Sequence, residues 1–265
     1  MDRPESPLSR WRKPALIALG LGGVLAAWEA IVFGLGIKPF LLPAPSLVLR
    51  QLARRWDVIL DAAMFTAQSM LIGFAASVVV GVLLALLVAF SRRLEEIIYP
   101  ILVFLQIVPK IAIAPLFLIW IGYGLTSKVL IVFLLSFFPI VVSSIAGFKA
   151  VDPEIMDFAR TTGAGGWKMF ARIRLPQALP EIFTGLKIGA ALSATAALVA
   201  EFVASDRGLG YLLLQYNGNL DTPMVFAIIV VLSAIGLALY YAVEFVEKIT
   251  IPWHVSQSGP GATPT

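Results

Sequence analysis

Gln106 and Lys110 lie four residues apart in the apolar run 97–121, and Glu201 lies near the end of the run 182–203. Residues one helical turn apart share a face, so an amide and an ammonium can be presented to the same side. Ionisable groups among apolar residues are costly unless they face a partner or a wet path. Two uses fit these residues. All three line or gate a path for a solute, or Lys110 snorkels or pairs with Glu201 as a structural bridge. Glu29, in the run 14–35, reads as an acid near an interface. Glu181 and Lys187 read as anchors, and Glu244, Glu247 and Lys248 as a helix end at an interface.

Covalent chemistry has little to build on. The chain contains no Cys and a single His, at position 254. That excludes disulfides, thiolate metal sites and Cys nucleophiles, and leaves His-based catalysis or metal binding without a set of ligands. Gly163, Gly165, Gly166 and Lys168 superficially suggest a phosphate loop. No Ser or Thr follows the lysine and no strand precedes the glycines, as that geometry requires. The chain therefore does not hydrolyse ATP itself. No cluster of acids, His or nucleophiles marks an enzyme site.

The elements that must position these residues are membrane spans. Hydrophobic residues make up 59% of the 265 residues and charged residues 14%, where a soluble domain has about 45–50% and about 25%. A fold of this size cannot hide that excess from water, so it faces lipid. The net charge of +4 sits at the ends of apolar runs with no basic stripe among aromatics, so nucleic acid is not an expected partner. Six runs approach the ~20 residues needed to cross a bilayer: 14–35, 64–90, 97–121, 129–148, 182–203 and 224–246. The expected fold class is an all-α polytopic membrane protein of about six transmembrane helices. The first run is too long for a signal peptide and lacks a clear cleavage site, so it is expected to be retained. The third contains Pro109 and Pro115 around Lys110 and is expected to be kinked or broken.

With the N-terminus inside, Arg3, Arg10, Arg12, Lys13, Arg92, Arg93, Lys149, Arg160, Lys168, Arg172, Arg174 and Lys248 fall on the cytoplasmic side. Lys38, Arg50, Arg54, Arg55, Lys128 and Arg207 fall outside. The bias places both termini in the cytoplasm. The expected organisation is a cytoplasmic segment 1–13, a single membrane domain 14–253 with a cytoplasmic loop region 149–181, and a disordered cytoplasmic tail 254–265. In the first outer loop Ser46 reads as an N-cap. Leu47, Val48, Leu52, Trp56, Ile59 and Leu60 form an apolar face, either on the outer membrane surface or packed on the protein. In the region 149–181, Asp152-Pro153-Glu154 starts a helix to about Thr162, with Gly163 as its C-terminal turn. A second short helix, 167–174, is expected to stop before Pro176. Small residues from Gly185 to Ala200 suit close helix packing and sliding.

The loop also carries a spaced signature: Asp157-Phe158-Ala159, then Gly163, then Ile173, Leu175 and Pro176. It resembles the cytoplasmic motif of bacterial ATP-binding-cassette importer permeases, Glu-Ala-Ala, three residues, Gly, nine residues, Ile-x-Leu-Pro. Asp157 and Phe158 depart from the motif, and the spacing matches throughout. Further segments, among them Gln106–Lys110, Gly122-Tyr123-Gly124 and Asp206–Gly210, are similar to the nitrate/sulfonate/taurine/bicarbonate branch. Asn217–Pro223 resembles permeases for thiamine-precursor pyrimidines, riboflavin or aromatic acids.

The resemblance implies a type I importer permease in the bacterial cytoplasmic membrane, working as a homodimer by alternating access. It implies two separate ATPase subunits that bind ATP and Mg, a periplasmic or lipid-anchored substrate-binding protein, and membrane lipid around the spans. This chain needs no cofactor of its own. Coupling to the ATPase falls on Asp157, Ala159, Arg160, Gly163, Ala164, Leu175 and Pro176, and Gln106, Lys110 and Glu201 are candidates for the translocation path. Arg160, Arg172 and Arg174 are able to bond acceptors on the ATPase. The alternative is an ion-coupled secondary carrier using Lys110 and Glu201. That architecture often has an inverted repeat, and none is evident.

Overall fold

The computed structural model describes residues 7–161 and 165–253, and these contain helices and no strand. In order they are α1 (Pro7–Gly34), α2 (Pro45–Arg54), α3 (Trp56–Phe90), α4 (Arg92–Ile107), α5 (Ala114–Ile121), α6 (Leu125–Lys149), α7 (Pro153–Thr161), α8 (Gly166–Met169), α9 (Leu175–Ala204), α10 (Leu209–Gly218) and α11 (Thr222–Thr250). A bilayer core supplies no hydrogen-bond partners, so backbone groups within it must pair along the chain, which helices do.

Among the described residues, four helices are long and apolar enough to cross a membrane: Trp56–Phe90, Leu125–Lys149, Gly166–Val203 and Thr222–Thr250. A fifth crossing is available if α4 and the stretch Lys110–Ile121 form one span bent by 82°. α1, at 28 residues, holds all but the last position of the first expected run, so the helices contain all six expected runs. The break in the third run is where the prolines put it: Pro109 precedes a 3₁₀ turn, Lys110–Ile113, and Pro115 sits in the first turn of α5.

The chain divides into two compact units, one formed by 1–60 with 212–231 and the other by 61–211 with 232–265. In the first unit Ala44 is the N-cap of α2, with Pro45 at the first helical position. This corrects the assignment of Ser46, whose N–H and hydroxyl donate to Glu29 at 3.1 and 2.6 Å. Glu29 is therefore a bonded partner of α2, not an isolated interfacial acid. The amphipathic helix ends at Arg54. Trp56, Ile59 and Leu60 belong to α3, which continues without a break into the second expected span. Thr222 Oγ1 donates to the Phe40 carbonyl at 2.7 Å, and Arg55 donates to the Tyr216 hydroxyl at 3.0 Å.

The second unit is built on α6 against α9. Any Cβ added at Gly185 would lie 2.9 Å from the Pro139 carbonyl oxygen, and one at Gly147 would lie 2.7 Å from that of Ala178. The two backbones approach closely because both helices carry glycine at the crossing. One apolar cluster at this contact includes Val141, Ile145, Phe148, Phe170, Ala178 and Ile182. Lys187 and Glu247 form a buried ion pair at 2.8 Å between α9 and α11, with side chains 12% and 6% exposed. Glu247 is thus buried, not part of an interfacial helix end.

The second short helix of the loop does not stop before Pro176. Chain from Gly166 to Val203 is one continuous helical run that passes through a π turn at Phe170–Arg174. Proline lacks an N–H and its ring crowds the carbonyl four residues back. The wider π turn removes that conflict and lets the helix pass straight through Leu175-Pro176.

Candidate functional site

Two regions hold the residues singled out above. The first lies in the segment from α6 to α9. Asp152 starts α7 as expected, its Oδ1 accepting the Glu154 N–H at 2.8 Å. Of the candidate residues here, Asp157 is exposed and Ala159 is 7% exposed, so Ala159 faces the protein and Asp157 faces away. Leu175 and Pro176 are half-buried at the start of α9. Arg160 lies in α7, but its side chain, Gly163, Ala164 and the tail 254–265 fall outside the described residues, as do residues 1–6 of the N-terminal segment.

The segment exposes large apolar side chains among charged ones such as Glu154, Asp157 and Lys168. Phe158 is 73% exposed, Trp167 74% and Ile155 43%. Phe170 anchors the segment from within, with its ring 4.9 Å from that of Phe90, 5.6 Å from Trp167 and 6.0 Å from Phe148. Arg174 Nη1 donates to the Ala89 carbonyl at 3.1 Å within the chain. Arg172 remains exposed. The sequence signature did not single out Trp167 as a contact, although an aromatic among glycines and basic residues was its visible sign.

The second region lies among the spanning helices of the second unit. Lys110 Nζ donates to the backbone carbonyl of Gln106 at 2.7 Å and sits 4.6 Å from the centre of the Phe138 ring. Gln106 is in the last turn of α4, where carbonyls lack helical partners, and the ammonium satisfies one of them. The Gln106 side chain is exposed. Glu201 has other partners. It is 1% exposed. Its Oε1 accepts the Thr66 hydroxyl at 2.8 Å and its Oε2 accepts the Gly210 N–H at 2.6 Å, while Thr66 Oγ1 accepts the Leu209 N–H at 2.9 Å. The carboxylate thus caps the first turn of α10, where free N–H groups favour negative charge. Lys110 and Glu201 have separate partners, so the bridge between them is not formed.

Lys128 was expected in an outer loop. It lies instead in the first turn of α6 and is 2% exposed. Its Nζ donates to Ser205 Oγ at 2.5 Å and stands 4.5 Å from the centre of the Phe65 ring. Arg207 lies 5.1 Å from the same ring. The neighbouring Asp206 carboxyl is held below the ordinary carboxylate range by its own backbone N–H, and then by Arg207. A lysine four residues after a Gly-x-Gly turn reads from sequence as loop charge. Its burial depends on α3 and the end of α9 meeting over it.

A family model described as "Binding-protein-dependent transport system inner membrane component" matches residues 77–250. The formylaminopyrimidine transport permease protein ThiX of Halalkalibacterium halodurans is 36% identical, over 92% of this chain and 97% of that protein. The riboflavin transport system permease protein RibX of Chloroflexus aurantiacus is 34% identical, over 94% of each. The taurine transport system permease protein TauC of Escherichia coli is 31% identical, over 92% and 93%. Among solved structures, an inward-facing MetNI methionine ABC transporter aligns with a TM-score of 0.59 at 16% identity, over 73% of this chain and 98% of that one.

Proposed function

Because the chain belongs to the family of binding-protein-dependent transport system inner membrane components, we propose that the segment from Asp152 to Pro176 is the lever through which a separate ATPase drives its conformational change. The chain is a membrane permease of an ABC importer, a transport component and not an enzyme. An ATPase partner and a substrate-binding protein follow from the family.

The observation that carries the lever is the pair of exposed aromatics, Phe158 and Trp167, on a segment tied to the body by Phe170 and the buried Ala159. Buried aromatics are the usual anchors of protein interfaces. Asp157, Arg160, Gly163 and Ala164 complete the proposed docking surface. Because the helix is continuous from Gly166 to Val203, displacement of α8 passes directly into a spanning helix. ATP and Mg bound by two ATPase subunits would favour one state of a permease homodimer, and the docked levers would move its spans between inward-open and outward-open forms. We place both termini and residues 149–181 in the cytoplasm, with a single membrane domain over 14–253 in surrounding lipid.

The solute is a small sulfonate-, nitrate- or taurine-like anion, or a pyrimidine, riboflavin or aromatic-acid type compound. Gln106 and Lys110, at the bend between α4 and α5, are proposed to border its path. Glu201 contributes beside them by fixing α10, without touching solute. The test is co-purification of the full chain with the ATPase expressed from the same operon. The complex is expected to persist with the wild-type chain and to be lost with Phe158→Asp. Retention by that variant removes the lever. Uphill uptake by vesicles holding this chain alone under an ion gradient would instead favour an ion-coupled carrier.

A further inference from the structure

A cavity of about 410 Å³ in the second unit is lined by Phe65, Tyr123, Gly124, Lys128, Asp206 and Arg207. We propose that it is a binding site for the anionic group, carboxylate or sulfonate, of a small solute. The inference rests on the import reading for its direction. Lys128 lies in the first turn of α6 and the proposed lever follows the other end of that helix at Lys149, ~32 Å away, so the cavity lies on the outer side.

The case begins with the ammonium of Lys128. A lysine is rarely this buried without a carboxylate partner, since desolvating the charge is costly. Among the described residues no carboxylate is in ion-pair contact with it. Glu201 and Asp206 act on it electrostatically without touching it; both Glu201 oxygens already serve Thr66 and Gly210, and Asp206 is paired with Arg207. An ammonium has three donors, and one is used, on Ser205. The Phe65 ring face offsets part of the charge but accepts no conventional hydrogen bond.

Arg207 brings a second cation to the same ring. Its Nε lies 3.5 Å from Asp206 Oδ1, and both side chains are mostly exposed. The lining therefore holds two cations and one carboxylate, a net positive charge at a concave site with an apolar wall. That combination fits an anionic head attached to an apolar or aromatic body. Ser205 organises the site: its Oγ accepts from Lys128 and from the Arg207 backbone N–H and donates to the Arg207 carbonyl, so one hydroxyl holds the Lys128 ammonium and the backbone that carries Arg207.

Titration calorimetry of the full chain in lipid nanodiscs tests this with benzenesulfonate and its neutral counterpart benzenesulfonamide. Saturable binding of the sulfonate alone is expected. Lys128→Met and Arg207→Gln should each weaken it about tenfold, which is ~1.4 kcal/mol. Arg92→Gln, which removes an exposed cation from the other end of the second unit, should leave it unchanged. Arg207 is exposed, so its variant carries the test if Lys128→Met does not fold. The proposal is overturned if wild-type protein does not bind the sulfonate, as when the cations serve only an acidic side chain of a docked protein. It is equally overturned if both variants bind as wild type. Loss of ATPase co-purification, in contrast, would sink the import reading and leave this binding result standing.

Discussion

Glu201 Oε2 accepts the backbone N–H of Gly210 at 2.6 Å, nine residues along the chain, and so fixes the turn between α9 and α10. Gly208 lies inside that turn at φ +112°, and a Cβ there would fall on the Glu201 carboxylate. Glycine is needed on both grounds, conformation and space. Gly208→Ala should therefore leave little folded protein in detergent. Glu201→Gln keeps the shape but has one acceptor where two donors point, from Thr66 and Gly210. A cost of about 1–3 kcal/mol is expected, read as a lower melting temperature and faster proteolysis between 204 and 209. Wild-type behaviour of Glu201→Gln in both assays would remove the capping role.

The Lys187–Glu247 pair joins α9 to α11 largely shielded from solvent. Removing one member leaves an uncompensated buried charge, which costs roughly 3–5 kcal/mol, whereas replacing both with apolar residues can be neutral. Lys187→Met alone should sharply reduce thermal stability, and Lys187→Met with Glu247→Leu should restore much of it. A double variant no better than the single would show that the two residues act independently.

Phe158 and Trp167 are exposed in this chain but are expected to be covered in the complex. Truncating an aromatic anchor at an interface typically costs ~2 kcal/mol or more. Phe158→Ala and Trp167→Ala should each weaken ATPase binding by at least ~30-fold, with the melting temperature of the isolated chain almost unchanged. Equal binding by both variants in a pull-down titration contradicts the docking surface.

Lys110 offers a cap and a charge at the bend between α4 and α5. Lys110→Arg retains both and should preserve uptake. Lys110→Met loses the bond to the Gln106 carbonyl, worth about 1.5–3 kcal/mol for a charged donor, and loses the charge. A fall in uptake larger than the loss of folded protein in the membrane identifies a role at the path. A proportional fall identifies a cap alone.

The sequence by itself determined that this chain lies in a membrane, because 59% apolar residues in long runs have no other stable solvent. It also located the break in the third run, since Pro109 ends one helix and Pro115 favours the first turn of the next, and the start of α7, since Asp152 and Pro153 act locally. These features depend on residues near one another in the chain. Only the tertiary structure decided the fate of the charges. Lys128 is buried because Phe65 and Ser205, 63 residues before it and 77 after it, close over it. Glu201 became a cap because Thr66 and Gly210 converge on it from two helices. Pro176 failed to end a helix because a π turn, stabilised by packing of Phe170 on Phe148 and Phe90, made room for it. An isolated charge or proline has several solutions of similar cost, and packing between distant segments selects among them.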